Sequence, residues 1–130
     1  MKGHLYRRLL LLFFSITPSV MSSPSAADVE AAKRERRVVF YTTMNVDQSV
    51  PMVKDFESRY PFLKVDLYRA GGPILLNKIL TEERAGRKVA DVIMISLFEG
   101  EMLKRKGLFD RYLSPEAAPV RDGFKDPDGY

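Results

Sequence analysis

VVFYTTMNVDQSVPMVKDFESRYPFLKVDLYRAGG, residues 38–72, changes hydrophobic period twice, and those changes decide the fold. Val38, Val39, Phe40 and Tyr41 form an unbroken apolar run of β-branched and aromatic residues, which predicts a strand buried on both faces. From Asp47 to Tyr60, Val50, Val53, Phe56 and Tyr60 recur at spacings of three and four and so share one face of a helix. Pro51 fits that helix only in its first turn, where a missing amide costs little; Asn45 or Asp47 is then the cap and Pro61 the stop. Leu63, Val65 and Leu67 alternate with Lys64, Asp66 and Tyr68, the period of two that marks a strand with one face better buried.

Downstream, Gly71 and Gly72 make a turn, Pro73 takes the first helical position, and Ile74, Leu75, Ile79 and Leu80 carry a second helix to Gly86. Val89 to Ile95 is apolar except for Asp91 and predicts a third buried strand. Phe98, Met102 and Leu103 predict a third helix ending near Gly107, with Leu108, Phe109 and Tyr112 packing back as a short apolar clasp. Ser114 to Tyr130, with Pro115, Pro119, Pro127, Gly123 and Gly129, reads as an extended connection. Strand and helix alternating three times predict an α/β fold, a parallel sheet with flanking helices joined by right-handed crossovers.

Upstream, residues 1–27 read as a secretory signal: basic Lys2, Arg7 and Arg8, an apolar run from Leu9 to Phe14, then Pro18 and small residues, with Ser25 and Ala27 suiting cleavage before Asp28. The apolar run falls far short of the ~20 residues that cross a bilayer. Residues 28–37 are charged and alanine-containing, a solvated helical lead-in to which no function is assigned. The expected division is therefore a signal peptide at 1–27, a lead-in at 28–37, three βα units at 38–112 and a connection at 113–130.

Composition narrows the function classes. The formal charge is +4, but removing Lys2, Arg7 and Arg8 with the leader leaves 18 basic against 17 acidic residues, no footprint for a polyanion, so nucleic acid is not an expected partner. No cysteine is present, which excludes disulfides, a thiolate zinc site and an amino-terminal lipid-modified cysteine, so the exported protein is expected to be free of a lipid anchor. The single histidine, His4, lies in the leader, which removes histidine-based triads and metal centres from the remainder. Neither the Rossmann glycine pattern nor the phosphate-loop lysine pattern occurs, and no cofactor is expected.

In open parallel sheets, ligands bind beyond the carboxyl ends of the strands, where loops lead into helices. Three such loops occur here: Thr42, Thr43, Met44 and Asn45; Ala70, Gly71 and Gly72; and Ser96, Leu97 and Phe98. Each offers hydroxyls or unhindered amides beside a helix start, which favours an anion or a carbonyl oxygen. In any one loop the plainer use of these residues is capping and turning. Three loops meeting in one concavity make a binding site the better reading, with Thr42, Thr43, Asn45, Gly71, Gly72 and Ser96 as candidate ligand-binding residues. The charged clusters Glu82, Glu83, Arg84 and Arg87, and Lys104, Arg105 and Lys106, read as solvated surface, the second also suiting its helix dipole.

Taken together, VVFYTTMN, DFESRYPFLKVDLYRAGG, ILTEERAGRKVADVI and GFKDPDGY resemble the amino-terminal part of a bacterial extracellular solute-binding protein of an ABC importer, in the branch that includes ferric-iron binders. The resemblance runs from about Val38 to Tyr130. It implies a partial first lobe of a type II periplasmic-binding clamshell, monomeric and located in the periplasm, that closes on a small-molecule solute and delivers it to the membrane permease subunits of the importer, with no covalent chemistry and no resident cofactor or metal. It also implies that the chain stops before the second lobe. Where iron-binding relatives carry a histidine after the first strand and a carboxylate after the third, this sequence has Asn45 and Leu97, so the implied ligand is an organic anion, a phosphate-bearing solute or a metal carried with its own anions. Two alternatives remain at this stage: a small α/β hydrolase or transferase using Ser96 and Asp91, and a truncated chain that binds nothing.

Overall fold

The computed structural model describes residues 26–112 and 114–130. Its elements are α1 (Ala26–Glu35), β1 (Arg37–Thr42), α2 (Val46–Arg59), β2 (Lys64–Arg69), α3 (Gly72–Arg84), β3 (Val92–Met94), α4 (Leu97–Arg105) and a 3-10 turn at Pro115–Ala117. The three strands form one parallel sheet in the order β2-β1-β3, so the strand with the continuous apolar run is the central one. The predicted α/β fold with helices on a parallel sheet is the one observed. Most of the expected leader lies outside the described residues, and Ala26 and Ala27 open α1, which continues through most of the expected lead-in.

Val39, Phe40, Tyr41 and Thr42 are buried in the middle of the sheet. Val39 and Tyr41 cluster with Leu75 and Ile79 of α3 and Leu103 of α4, and Leu108 and Phe109 pack against that cluster. Leu75 and Leu103 are both 0% exposed. β2 follows its period of two, with Val65 and Leu67 partly covered and Lys64, Asp66, Tyr68 and Arg69 open to solvent.

Several local expectations are corrected. Pro51 lies inside α2 rather than in its first turn; it and Asp47, the residue four before it, are exposed, where water can take the place of the missing amide. Asn45 is the N-cap by position, yet its side chain makes no capping hydrogen bond. The third strand is three residues long instead of seven, and Val92 and Met94 are exposed, because β3 lies at a sheet edge with one face open. Tyr112 is exposed and does not join the clasp. The segment after Ser114 is a run of turns that returns on itself: the Tyr112 amide donates to the Gly129 carbonyl at 2.7 Å, and Lys104 pairs with Asp126. Lys104 is thus not free surface.

Glu82 also departs from the expected solvated face. Its Oε1 accepts from the Tyr41 hydroxyl at 2.9 Å and from Lys78 Nζ at 2.6 Å, while the Lys78 ammonium lies 5.1 Å and 4.8 Å from the ring centres of Tyr41 and Tyr68. Burial raises the Tyr41 phenol above its ordinary value, and the hydrogen bond to Glu82 raises Lys78. This polar network ties the second half of α3 to β1 and β2.

Candidate functional site

The geometry of the site follows from register. Thr42, the last residue of β1, pairs with Arg69, the last of β2, and with Met94, the last of β3. All three strands therefore end at one rim, and the three loops that follow leave it side by side. Backbone bonds lock the loops together: the Thr43 amide donates to the Met94 carbonyl at 3.0 Å, and the Ala70 amide to the Thr42 carbonyl at 3.3 Å. Arg69 Nε donates to the Met44 carbonyl at 2.5 Å, bracing the first loop against the second.

Each loop then starts a helix in the same way. Asn45, Gly71 and Ser96 are the N-caps of α2, α3 and α4, with φ of −67°, −64° and −64° and ψ of 157°, 155° and 157°, and none supplies a side-chain cap. Three helix amino ends thus point their first amides at one rim without side-chain oxygens of their own caps to satisfy them. Unpaired amides and the positive ends of the helix dipoles together favour negative charge or oxygen acceptors there. The Asn45 and Ser96 side chains, both exposed, are left for other partners.

The six predicted residues do not stand alike. Thr42 is completely buried and its Oγ1 accepts the Met44 amide at 3.0 Å, so its hydroxyl is committed to the loop. Thr43 is half-buried, Asn45, Gly71 and Ser96 are exposed, and no atom lies within 4 Å of a Cβ placed on Gly71. Gly72 is partly covered, because a Cβ there would lie 3.0 Å from Glu99 Cδ and closer still to Oε1. Glu99 was not among the predicted residues. It sits in the first turn of α4, its Oε2 is buried without a hydrogen-bond partner, and the signal in the sequence is the Ser96-x-x-Glu99 spacing of a capping box, which points to the helix start and not to a ligand.

The contact between Gly72 and Glu99 gives a direct test. Gly72→Ala is expected to change stability by less than about 1 kcal/mol, because the helix preference of alanine offsets the cost of pushing the flexible end of Glu99 aside, and it should be more favourable when Glu99→Ala is already present. Urea denaturation of the four members of this cycle measures the coupling; equal changes in both backgrounds would mean the contact does not constrain position 72.

Beside the rim are exposed apolar residues at the helix starts: Ile74 at 63%, Leu97 at 90% and Phe98 at 74%. A hollow of about 950 Å³ runs instead along the free edge of β3 between Val89 and Leu97 and reaches the rim only at Ser96 and Leu97. Asp91 does not stand ready beside Ser96. It precedes β3 while Ser96 follows it, roughly 16 Å of extended chain away, and its Oδ2 accepts the Val39 amide at 2.7 Å. No group of three or more histidine, cysteine or acidic side chains able to hold a metal occurs among the described residues.

No protein-family profile matches the chain, and no curated protein does. Solved structures share its fold, and two of them are iron-bound proteins. Iron-bound HitA from Pseudomonas aeruginosa is 21% identical with a TM-score of 0.62, the match covering 72% of this chain and 30% of HitA. IdiA, or FutA, from Trichodesmium, solved in complex with iron and citrate, is 17% identical with a TM-score of 0.60, covering 72% of this chain and 29% of that protein. The chain thus spans about a third of the length of either neighbour, and over that span the parallel sheet and flanking helices described above are the fold of one part of these iron-bound proteins.

Proposed function

We propose that this chain forms part of the first lobe of an extracytoplasmic solute-binding protein, and that the rim at Thr43, Asn45, Gly71 and Ser96 faces the ligand cleft. The observation that carries the reading is the register of Thr42 with both Arg69 and Met94, which gathers three uncapped helix starts at one edge. Such an edge binds without transforming: it holds amides and hydroxyls but no nucleophile with a positioned base. The ligand it suits is an anionic solute or a metal carried with its own anions, since converging helix amino ends favour oxygen acceptors. Fold neighbours that hold iron, and iron with citrate, are in keeping with that class. Delivery to the permease subunits of an ABC importer, export by the amino-terminal leader and a monomeric state belong to the same proposal.

The test is ligand-induced stabilisation of the full-length gene product across solute classes. A ligand at a hundredfold its Kd adds about 2.7 kcal/mol to the stability of the protein. The expected result is an upward shift of Tm with one class of anion or metal–anion complex, lost on combined Asn45→Ala and Ser96→Ala substitution; a protein that no solute stabilises is not a binding protein.

A further inference from the structure

We propose that residues 114–130 form a strap that guards the free edge of β3, and that an ionic clip at Lys104 of α4 locks it in place, so that breaking the clip turns a monomer into a self-associating chain. The inference concerns the sheet edge rather than the rim, and it stands whether or not the rim binds a solute. β3 ends the sheet on one side. Val92 and Met94 are exposed there, and Asp91 is tied back to the Val39 amide, so between Val89 and Ile95 no lysine or proline keeps another strand away. The hollow beside β3 is lined both by that strand and by Phe124, Asp126, Gly129 and Tyr130 of the strap. A second strand that pairs along β3 has to enter the space that the strap walls.

The strap is held by charge and not by burial. Among the described residues, none of 114–130 belongs to the core cluster, and Phe124 is 75% exposed. The turns between Ser114 and Lys125 bond within the strap: the Ala117 amide donates to Ser114, that of Val120 to Ala117 and that of Phe124 to Arg121. The tethers to the body of the fold gather at the far end. Lys104 Nζ pairs with Asp126 and stands 3.6 Å from Asp128 Oδ2, with the Lys104 and Asp126 side chains only 25% and 24% exposed. The Tyr130 ring centre lies 5.0 Å from Lys104 Nζ and 5.6 Å from the Arg111 guanidinium. Arg111 Nε donates to the Asp128 carbonyl at 2.7 Å, and the Tyr112 amide to the Gly129 carbonyl at 2.7 Å. An ion pair so far withdrawn from water holds better than an ordinary surface bridge, and removing its charge takes nothing from the packed core. The strap can therefore open as a unit while the sheet stays folded.

Amide hydrogen exchange and light scattering on the full-length protein test this in the wild type, Lys104→Met, Asp126→Asn, and Lys104→Met combined with Met94→Lys. Asp126→Asn removes the charge but keeps Oδ1, which accepts the Asp128 amide at 2.8 Å, so the turn itself is spared. In Lys104→Met and in Asp126→Asn the Tyr112 amide should exchange about tenfold faster than in the wild type, with the Ile79 amide of α3 unchanged, and both variants should associate as their concentration rises. Met94→Lys puts a charge on the edge and should restore the monomer without slowing exchange at Tyr112. Unchanged exchange at Tyr112 in both single variants would mean that the clip does not hold the strap, and exchange at Ile79 rising in step would mean that the strap opens only with the core. An open strap without association, or association that Met94→Lys leaves untouched, would mean that the strap does not guard β3. Each of these results overturns the proposal.

Discussion

Leu103→Ala is expected to lower the stability of the folded chain by about 2–5 kcal/mol, the usual cost of removing three buried carbon atoms and leaving a cavity that neighbours fill only in part. Leu103 is 0% exposed and clusters with Leu75 and Ile79 of α3 and with Val39 and Tyr41 of the central strand, so no single neighbour can shift to close the gap. The described core has few other members. Domains of this size hold a net stability of only about 5–15 kcal/mol, and a loss at the upper end of the range would leave the protein largely unfolded at 37 °C. Phe98→Ala, in the same helix but at a residue that is 74% exposed, should change stability by less than about 0.5 kcal/mol. Urea titrations of both variants decide the matter: a Leu103→Ala midpoint close to the wild type would place the core elsewhere.

Why the core could be read from the sequence, and the rim only in part, follows from what hydrophobic period reports. Val39, Tyr41, Leu75, Ile79 and Leu103 all lie on faces that the spacing marks as inward, and each is buried. Period does not report where an element ends or which side of a sheet edge is covered. The run from Val89 to Ile95 is apolar except for Asp91, yet only Val92, Ile93 and Met94 pair, with Phe40, Tyr41 and Thr42 of β1. Ile74 and Phe98, read as members of the apolar faces of α3 and α4, are exposed in the first turns of those helices, as is Leu97.

The candidate residues divide along the same line. Thr43, Asn45, Gly71 and Ser96 were legible because a parallel sheet places every loop after a strand at one edge, whatever the side chains do. Thr42 was legible as a position but not as a committed one, since its hydroxyl serves a backbone amide two residues on. Glu99 was legible only as an acid at a helix start. Its meaning comes from Gly72, a residue on another helix, and only the packing of α3 beside α4 brings them together. Glu82 was misread: it stands seven residues after Leu75 and three after Ile79, on the inward face of α3, where the Tyr41 hydroxyl of β1 reaches it.

Asp91→Leu is the substitution expected to damage the rim most without touching it. The Asp91 side chain takes the N–H of Val39 at 2.7 Å, and the Asp91 amide donates to the Val39 carbonyl at 3.0 Å, so one residue holds both backbone polar groups of Val39 in the central strand. β3 pairs with β1 over three residues only, which makes this clasp a large share of what holds the edge strand in register. Val39 is buried, so with the acceptor gone its amide is left unpaired away from water, at a cost of about 1–3 kcal/mol. Asp91→Asn keeps an oxygen acceptor and should lose less. The loosening should travel along β3 to its far end, because the Met94 carbonyl is the acceptor of the Thr43 amide and Ser96 follows two residues later. Hydrogen exchange at the Val39 and Thr43 amides reads both steps: faster exchange at both in Asp91→Leu is the expected outcome, together with weaker ligand binding. Fast exchange at Val39 alone would mean that the rim holds its shape independently of the clasp, through the Arg69 bridge to Met44 and the bond from Ala70 to Thr42.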